Sequence, residues 1–401
     1  IAPDHADALH FYGVLNHQRG DSESAVRLIR RALKTDSQYV GARINLGNVL
    51  REQGRFGEAE SEYRKVIAAD GSSADAHNNL GAVLRLQHRN EEAIGTFERA
   101  TALAPRHADA FQNLGNALKS ADRIDEALVA YRTAIEIAPA HSEASLNLGR
   151  LLTRINRLDE AAAVYAHWLE VDPSNPIAAH MLAACRRNET PPRCTDEFVR
   201  QTFDAIAIGF EETLERLEYR APLLASQAVE RVISPSPGQL TVLDAGCGTG
   251  LCGSRLRSHA KHLVGVDLSP KMVAKARGTG LYDELVVAEL TEYMRTHPVR
   301  YDLIFSTDTF VYIGDLVPLF RAAAAATTAN GAIVFTFERI GDGESETGYQ
   351  LQCYGRYGHS EQFVTDSLQQ AGFSVKEIRR ETLRLEARQP VNGLVVAAVK
   401  S

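Results

Sequence analysis

Val242-Leu-Asp-Ala-Gly-Cys-Gly-Thr-Gly250 carries an apolar run into a carboxylate, Asp244, and then into glycines at 246, 248 and 250. Residues without a β-carbon let the backbone turn tightly and approach a ligand where any side chain would clash. A second apolar run, His262-Leu-Val-Gly-Val-Asp267, ends on another carboxylate, placed where a ribose diol can be gripped. The glycines follow G-x-G-x-G, not the G-x-G-x-x-G of a dinucleotide turn. Asp244 stands two residues before the first of them, where it would repel a pyrophosphate.

Strand and helix patterns alternate around this stretch. Strands are expected at 240–245, up to Asp267, at 284–288, 301–307 and 332–337, and finally at 373–381 and 391–399. Ser269-Pro270 is a good N-cap and first-turn pair for the helix after the second strand, and a further helix is expected at about 360–370. Ahead of the alternation, 195–233 reads as two or three amphipathic helices, with Phe198, Phe203, Phe210, Leu214 and Leu217 at helical spacing. Such alternation means a parallel sheet with helices on both faces and ligands at the carboxyl ends of the strands.

At 401 residues the chain should hold two or more domains. A formal net charge of -7 gives no global pull toward nucleic acid or an anionic membrane. No run approaches 18 apolar residues, so no membrane span is expected. The five cysteines include no CxxC pair, which argues against a zinc site or a disulfide framework and favours a reducing, cytoplasmic setting. No metal constellation is apparent.

The first half is built on a 34-residue period. Gly13, Gly47, Gly81, Gly115 and Gly149 recur at that spacing, Ala25, Ala59, Ala93, Ala127 and Ala161 follow twelve residues later, and Tyr63, Phe97, Tyr131 and Tyr165 four residues after the last four of these. Pro105, Pro139 and Pro173 close three of the units. Small residues at fixed spacing let paired helices pack closely, and proline ends the second. The pattern resembles the tetratricopeptide repeat family over residues 1–187, as five repeats and a capping helix at 177–187, with 188–194 as a linker. The opening Ile1-Ala-Pro-Asp-His-Ala-Asp-Ala echoes Leu103-Ala-Pro-Arg-His-Ala-Asp-Ala110, so the chain reads as cut from a longer array.

Within this all-α solenoid, Asn45, Asn79, Asn113 and Asn147 occupy one repeat position, Asn48 and Asn116 a second, and Arg51, Arg85 and Lys119 a third. A column of amides, each donor and acceptor, suits the backbone of an extended peptide held in a groove. The same column occurs in the superhelix of the protein O-GlcNAc transferases, which these repeats resemble. The alternative is that the asparagines cap neighbouring turns. The basic column adds a preference for an acidic partner, or else is a solvated face.

A carboxylate at Asp244 suits an ammonium group, which points to S-adenosylmethionine, with S-adenosylhomocysteine as product. The Leu-Asp-Ala-Gly-Cys-Gly-Thr-Gly motif with Gly-Val-Asp-Leu-Ser resembles the Rossmann-like class I methyltransferases. With its repeats, the chain is similar to the bacterial family of tetratricopeptide-repeat methyltransferases. The resemblance implies an α/β domain over 195–401, with lid helices at 195–233 and a seven-stranded, mostly parallel sheet whose last strand is antiparallel. It places Asp244, Gly246, Cys247 and Gly248 at the methionine part of the cofactor. Asp267 falls at the ribose, Leu268 and Met272 against the adenine, and Glu289 with Leu290 beside the adenine amino group, where the family usually has aspartate. Thr307 and Asp308 come where cofactor meets substrate.

Methyl transfer from a sulfonium is an in-line displacement, so the site chiefly aligns the nucleophile and excludes water. Tyr312 falls where related small-molecule enzymes often place histidine. The segment 348–359 holds Arg356, a candidate fork for a substrate carboxylate or phosphate, and His359, either a base or the N-cap of the next helix. Tyr219-Arg220 reads as part of a lid or as an ordinary core and surface pair. Phe203 and Phe210 read as core rather than substrate wall. Two functions follow: the solenoid presents a protein or peptide to the active site, or a small-molecule O- or N-methyltransferase carries the repeats as a separate docking module.

Overall fold

A computed structural model describes residues 5–186, 190–233, 237–341, 343–386 and 388–401. They form two compact units, Ile1–Pro173 and Ser174–Ser401.

The first unit is ten helices: α1 (Ala6–Gln18), α2 (Ser22–Thr35), α3 (Val40–Glu52), α4 (Phe56–Ala69), α5 (Ala74–Leu86), α6 (Asn90–Leu103), α7 (Ala108–Ser120), α8 (Ile124–Ile137), α9 (Ser142–Arg154) and α10 (Leu158–Val171). Each helix packs on the next, and the first helices of adjacent repeats also touch one another, which sets them along the inner side of the array. The recurrent glycine and aromatic explain the pairing. A β-carbon at Gly115 would lie 2.6 Å from the Tyr131 ring, and one at Gly47 2.5 Å from Tyr63, so only glycine lets the second helix seat its buried ring. The recurrent alanines are completely buried in the same seam.

The second unit opens with α11 (Pro176–Arg186), followed by α12 (Asp196–Ile206), α13 (Phe210–Arg216) and α14 (Ala221–Val232). Alternation then gives β1 (Leu240–Ala245), α15 (Gly253–Arg257), β2 (Ala260–Asp267), α16 (Pro270–Gly278), β3 (Glu284–Val287), α17 (Leu290–Thr296), β4 (Tyr301–Ser306), α18 (Val317–Ala326) and β5 (Thr327–Arg339). The chain closes with β6 (Tyr349–Leu351), β7 (Tyr357–His359), α19 (Glu361–Gln370), β8 (Phe373–Glu386) and β9 (Gln389–Lys400).

α11 was expected to cap the repeats. It falls in the second unit, where His180 reaches the Gly355 carbonyl at 2.9 Å and lies 3.9 Å from the ring of Phe198 on α12. Of the expected linker, 188 and 189 lie outside the described residues. The rest is tied down: the Pro192 carbonyl accepts from the amides of Gly314 and Asp315, and the Cys194 amide donates to Tyr312.

The sheet runs β3-β2-β1-β4-β5, all parallel, then through β9, antiparallel to β5, to β8. The reversed β1–β4 order opens a crevice at the carboxyl ends of β1, β2 and β4, the usual ligand position in such folds. The sequence reading of seven strands is corrected to nine among the described residues. The additional pair, β6 and β7, is a short hairpin attached to the end of β5 through Glu338 and Arg339. Its strands are three residues each, too short for a periodicity to show. Leu243, Val264, Ile304, Ile333 and Val396 fill one face of the sheet, and Val242, Leu263, Leu303, Val334 and Val395 the other.

Candidate functional site

At that crevice a cavity of about 330 Å³ lies between the strand ends and helices α12 and α13. Gly246, Cys247, Gly248 and Thr249 from the turn after β1 form its floor, with Asp267 and Leu268 after β2, Ala288, Glu289 and Leu290 after β3, and Thr307, Asp308 and Tyr312 after β4.

The glycine turn requires its residues. Gly246, Gly248 and Gly250 have φ of 82°, 53° and 90°, the left-handed region that favours glycine. A β-carbon at Gly246 would collide with the Thr309 side chain, whereas at Gly248 the nearest atom would be a Phe210 ring carbon at 4.0 Å, leaving open space over the turn. The Gly248 amide donates to Asp267 at 2.9 Å and so does Ser269, one bond to each carboxylate oxygen. Each oxygen keeps a lone pair for another donor. Burial pushes the Asp267 carboxyl up despite these amides.

Asp244 is not on the cavity wall. It is 1 % exposed behind the turn and accepts from the Tyr282 hydroxyl at 2.6 Å. Burial is the main cause that lifts its carboxyl to about 7. Met272 is likewise fully buried beneath the site, while Leu268 does line it. Glu289 combines two roles. It caps α17 by accepting from the Thr291 and Glu292 amides, pairs with Arg193 at 3.0 Å, and still lines the cavity.

Tyr312 faces the cavity with its ring edge-on to Phe203, 5.3 Å between centroids. Burial raises its hydroxyl to about 12, so at neutral pH it is an uncharged hydrogen-bonding group. Arg356 also lines the cavity, but Nε binds Glu338 at 2.5 Å and Nη2 binds Glu386 at 2.6 Å, with the guanidinium over the Tyr354 ring. Two of its donors are therefore spent within the protein rather than aimed at a ligand. His359 is completely buried and is not among the cavity residues. Its Nε2 donates to the Ile313 carbonyl at 2.9 Å, and desolvation lowers it to about 4. The helix cap expected as an alternative there is Ser360, whose hydroxyl accepts from the Phe363 amide.

Several features escaped the sequence reading. Arg384, on β8 and distant in the chain, reaches the cavity and binds Asp308 at 2.5 Å, Glu386 at 2.8 Å and Glu338. Its signal was a basic residue between Leu383 and Leu385 in an alternating run. Burial pushes Asp308 up despite Arg384; in Glu338 the opposite balance holds, with burial outweighed by Arg356 and Arg384 together. Phe203 and Phe210, expected as core, are walls of the cavity, as are Leu214, Leu217 and Tyr219. Ser269 fastens this lid to the floor by binding Asp204 of α12 at 2.5 Å while capping α16.

In the repeats, the asparagines divide. Asn48 and Asn116 accept from the buried hydroxyls of Tyr63 and Tyr131, both at 2.7 Å, which ties each to its own repeat. Asn45 contacts His10 at 2.8 Å and Asn113 donates to Asn78 at 3.0 Å, both to the neighbouring repeat. Asn79 and Asn147 are half-buried.

A family model described as a methyltransferase domain matches residues 242–331, and two described as tetratricopeptide repeats match 44–110 and 118–185. Similar curated proteins include human methyltransferase-like protein 27, 36% identical over 22% of this chain and 36% of its own length. Another is the ubiquinone biosynthesis O-methyltransferase of Sodalis glossinidius, 26% identical over 33% of this chain and 56% of its own. The chain thus spans about a third to a half of the length of these relatives. Among solved structures, MamA aligns at 28% identity and a TM-score of 0.37, over 40% of this chain and 94% of that one. A Mesorhizobium loti S-adenosylmethionine dependent methyltransferase aligns at 22% and 0.35, over 44% and 98%. The chain joins an array of tetratricopeptide repeats to a methyltransferase domain of Rossmann-like, class I architecture.

Proposed function

We propose that the second unit transfers a methyl group from S-adenosylmethionine to a small acceptor that enters beneath α12 and α13, and that the repeats recruit a protein or peptide partner of acidic character. The observation that carries the cofactor assignment is the Gly246–Thr249 turn, with Asp267 beside it. The turn leaves open space at Gly248, and the Asp267 oxygens each keep a lone pair for a ribose hydroxyl. Thr249 Oγ1 is buried on the same floor with no hydrogen-bond partner among the described residues, a polar atom that a ligand would satisfy. When bound, the cofactor would supply an electrophilic methyl on a sulfonium, and the protein's share is alignment and exclusion of water. Leu268 and Leu290 offer apolar surface to a base, while Asp308 and Tyr312 sit where the acceptor would meet the methyl.

A small acceptor is favoured over an inserted polypeptide because the cavity is at the low end of the 300–1,000 Å³ of small-molecule sites. It is also roofed by Phe203, Phe210, Leu214 and Leu217. The other reading, a peptide side chain delivered from the repeats, requires the lid to open. Calorimetric titration of S-adenosylmethionine and S-adenosylhomocysteine into wild type and Asp267→Ala tests the cofactor assignment. Micromolar binding that falls at least tenfold in the variant is expected. Binding to neither protein would rule out the enzymatic reading.

A further inference from the structure

The repeat unit treats its basic residues in two ways. Along one row, Arg55, Arg89, Arg123 and Arg157 stand just before the second helix of their repeats. Each binds the glutamate three residues on, at 2.7, 2.6, 2.6 and 2.5 Å. Along a second row, Arg85 on α5, Lys119 on α7 and Arg154 on α9 lie near the C-terminal ends of three successive first helices. Those helices touch one another in order along the inner side of the array. Among the described residues, none of these three side chains forms an ion pair with a carboxylate.

Two members of this second row are costly as they stand. Lys119 is half-buried; desolvation, then the like charges of Arg154, Arg150 and Arg85, disfavour its ammonium form. Arg85 is also desolvated, and its buried Nε has no hydrogen-bond partner among the described residues. Cations near a helix C-terminus gain from the helix dipole. Desolvation without a carboxylate partner works against that gain. The array neutralises the arginines that open its second helices, so half-buried cations left without a carboxylate at Arg85 and Lys119 stand out against that row.

We propose that Arg85, Lys119 and Arg154 form an anion-binding row on the inner face of the repeats that takes consecutive carboxylates of an acidic peptide segment. The proposal rests on the reading of the repeats as a recruiting groove and names the chemistry of what is recruited. Three cations drawn from helices packed about 8–10 Å apart make a line rather than a point. A line fits acidic side chains spaced along an extended chain, two of them meeting the partly desolvated Arg85 and Lys119 and a third the exposed Arg154. A single compact phosphate would engage only part of it.

Fluorescence anisotropy on the full chain tests this with a labelled, end-blocked octaglutamate peptide, an octaglutamine peptide and a phosphoserine peptide of equal charge. Octaglutamate is expected to bind, and Lys119→Met and Arg85→Gln each to weaken it at least tenfold without changing octaglutamine binding. Lys119→Met is also expected to raise the thermal midpoint, because an apolar side chain of similar length replaces a desolvated, unpaired cation. A variant that binds octaglutamate as wild type does while losing stability would show that the lysine serves the fold alone, overturning the proposal. Binding of octaglutamine without octaglutamate would overturn it while sparing the groove, and binding of neither would remove both. Preference for the phosphoserine peptide over octaglutamate would overturn the assignment to carboxylates.

Discussion

Asp244 and His359 are each buried and each displaced from ordinary ionisation, in senses that tilt stability oppositely with pH. Burial, countered in part by the Tyr282 hydroxyl and aided by Asp267, holds Asp244 at about 7. The fold therefore keeps a proton that the unfolded chain releases near pH 4. Stability from this group is full below that value and is lost as pH rises toward 7, by roughly 4 kcal/mol at about 1.36 kcal/mol per unit. His359, lowered from 6.5 to about 4, contributes fully above pH 6.5. Its contribution is lost as pH falls toward 4, by roughly 3 kcal/mol. Urea midpoints between pH 4.5 and 8 should show Asp244→Asn flattening the loss on the alkaline side and His359→Gln the loss on the acid side. Parallel profiles for all three proteins would contradict both assignments. Asp244 was legible as the acidic residue before a glycine turn. Its retreat behind the wall was not, because the hydroxyl that covers it belongs to Tyr282, 38 residues further on.

Elements that repeat or alternate were the ones the sequence made plain. The helix pairs announce themselves through glycine and aromatic at a fixed offset, and that contact fixes a prediction. Gly115→Ala should cost about 1–3 kcal/mol, since its new methyl meets the Tyr131 ring, and chemical denaturation monitored by circular dichroism would measure it. An unchanged midpoint would mean that the seam has slack. The β8–β9 hairpin was foreseen as two strands, both longer here than expected, but its delivery of Arg384 to the cavity was not. Register places that guanidinium among Asp308, Glu338 and Glu386, and a pairing across 46 or 76 residues leaves no local mark. Arg384→Met should leave three clustered carboxylates with Arg356 alone, destabilising the second unit by about 3–5 kcal/mol. A loss below 1 kcal/mol in urea titration would indicate that Arg356 already neutralises the cluster.

Across the whole molecule the formal charge of -7 and the unpaired cations of the repeats make a contrast of scale. The far field repels polyanions, whereas Arg85, Lys119 and Arg154 act only over a Debye length of about 8 Å at physiological salt. A 25-base-pair duplex should give no mobility shift at 150 mM NaCl, and a stable complex would contradict the reading of the row as a local peptide site. No helix among the described residues is long and apolar enough to cross a membrane. The paired row has another consequence. Arg55 meets Glu58 of its own repeat and Glu23 of the one before, and Arg123 likewise meets Glu126 and Glu91. Where such rungs recur at the repeat spacing, whole 34-residue units can be inserted or removed with the junction remade from like parts. The array's length is thus an evolvable quantity, open to change by duplication while the second unit stays as it is.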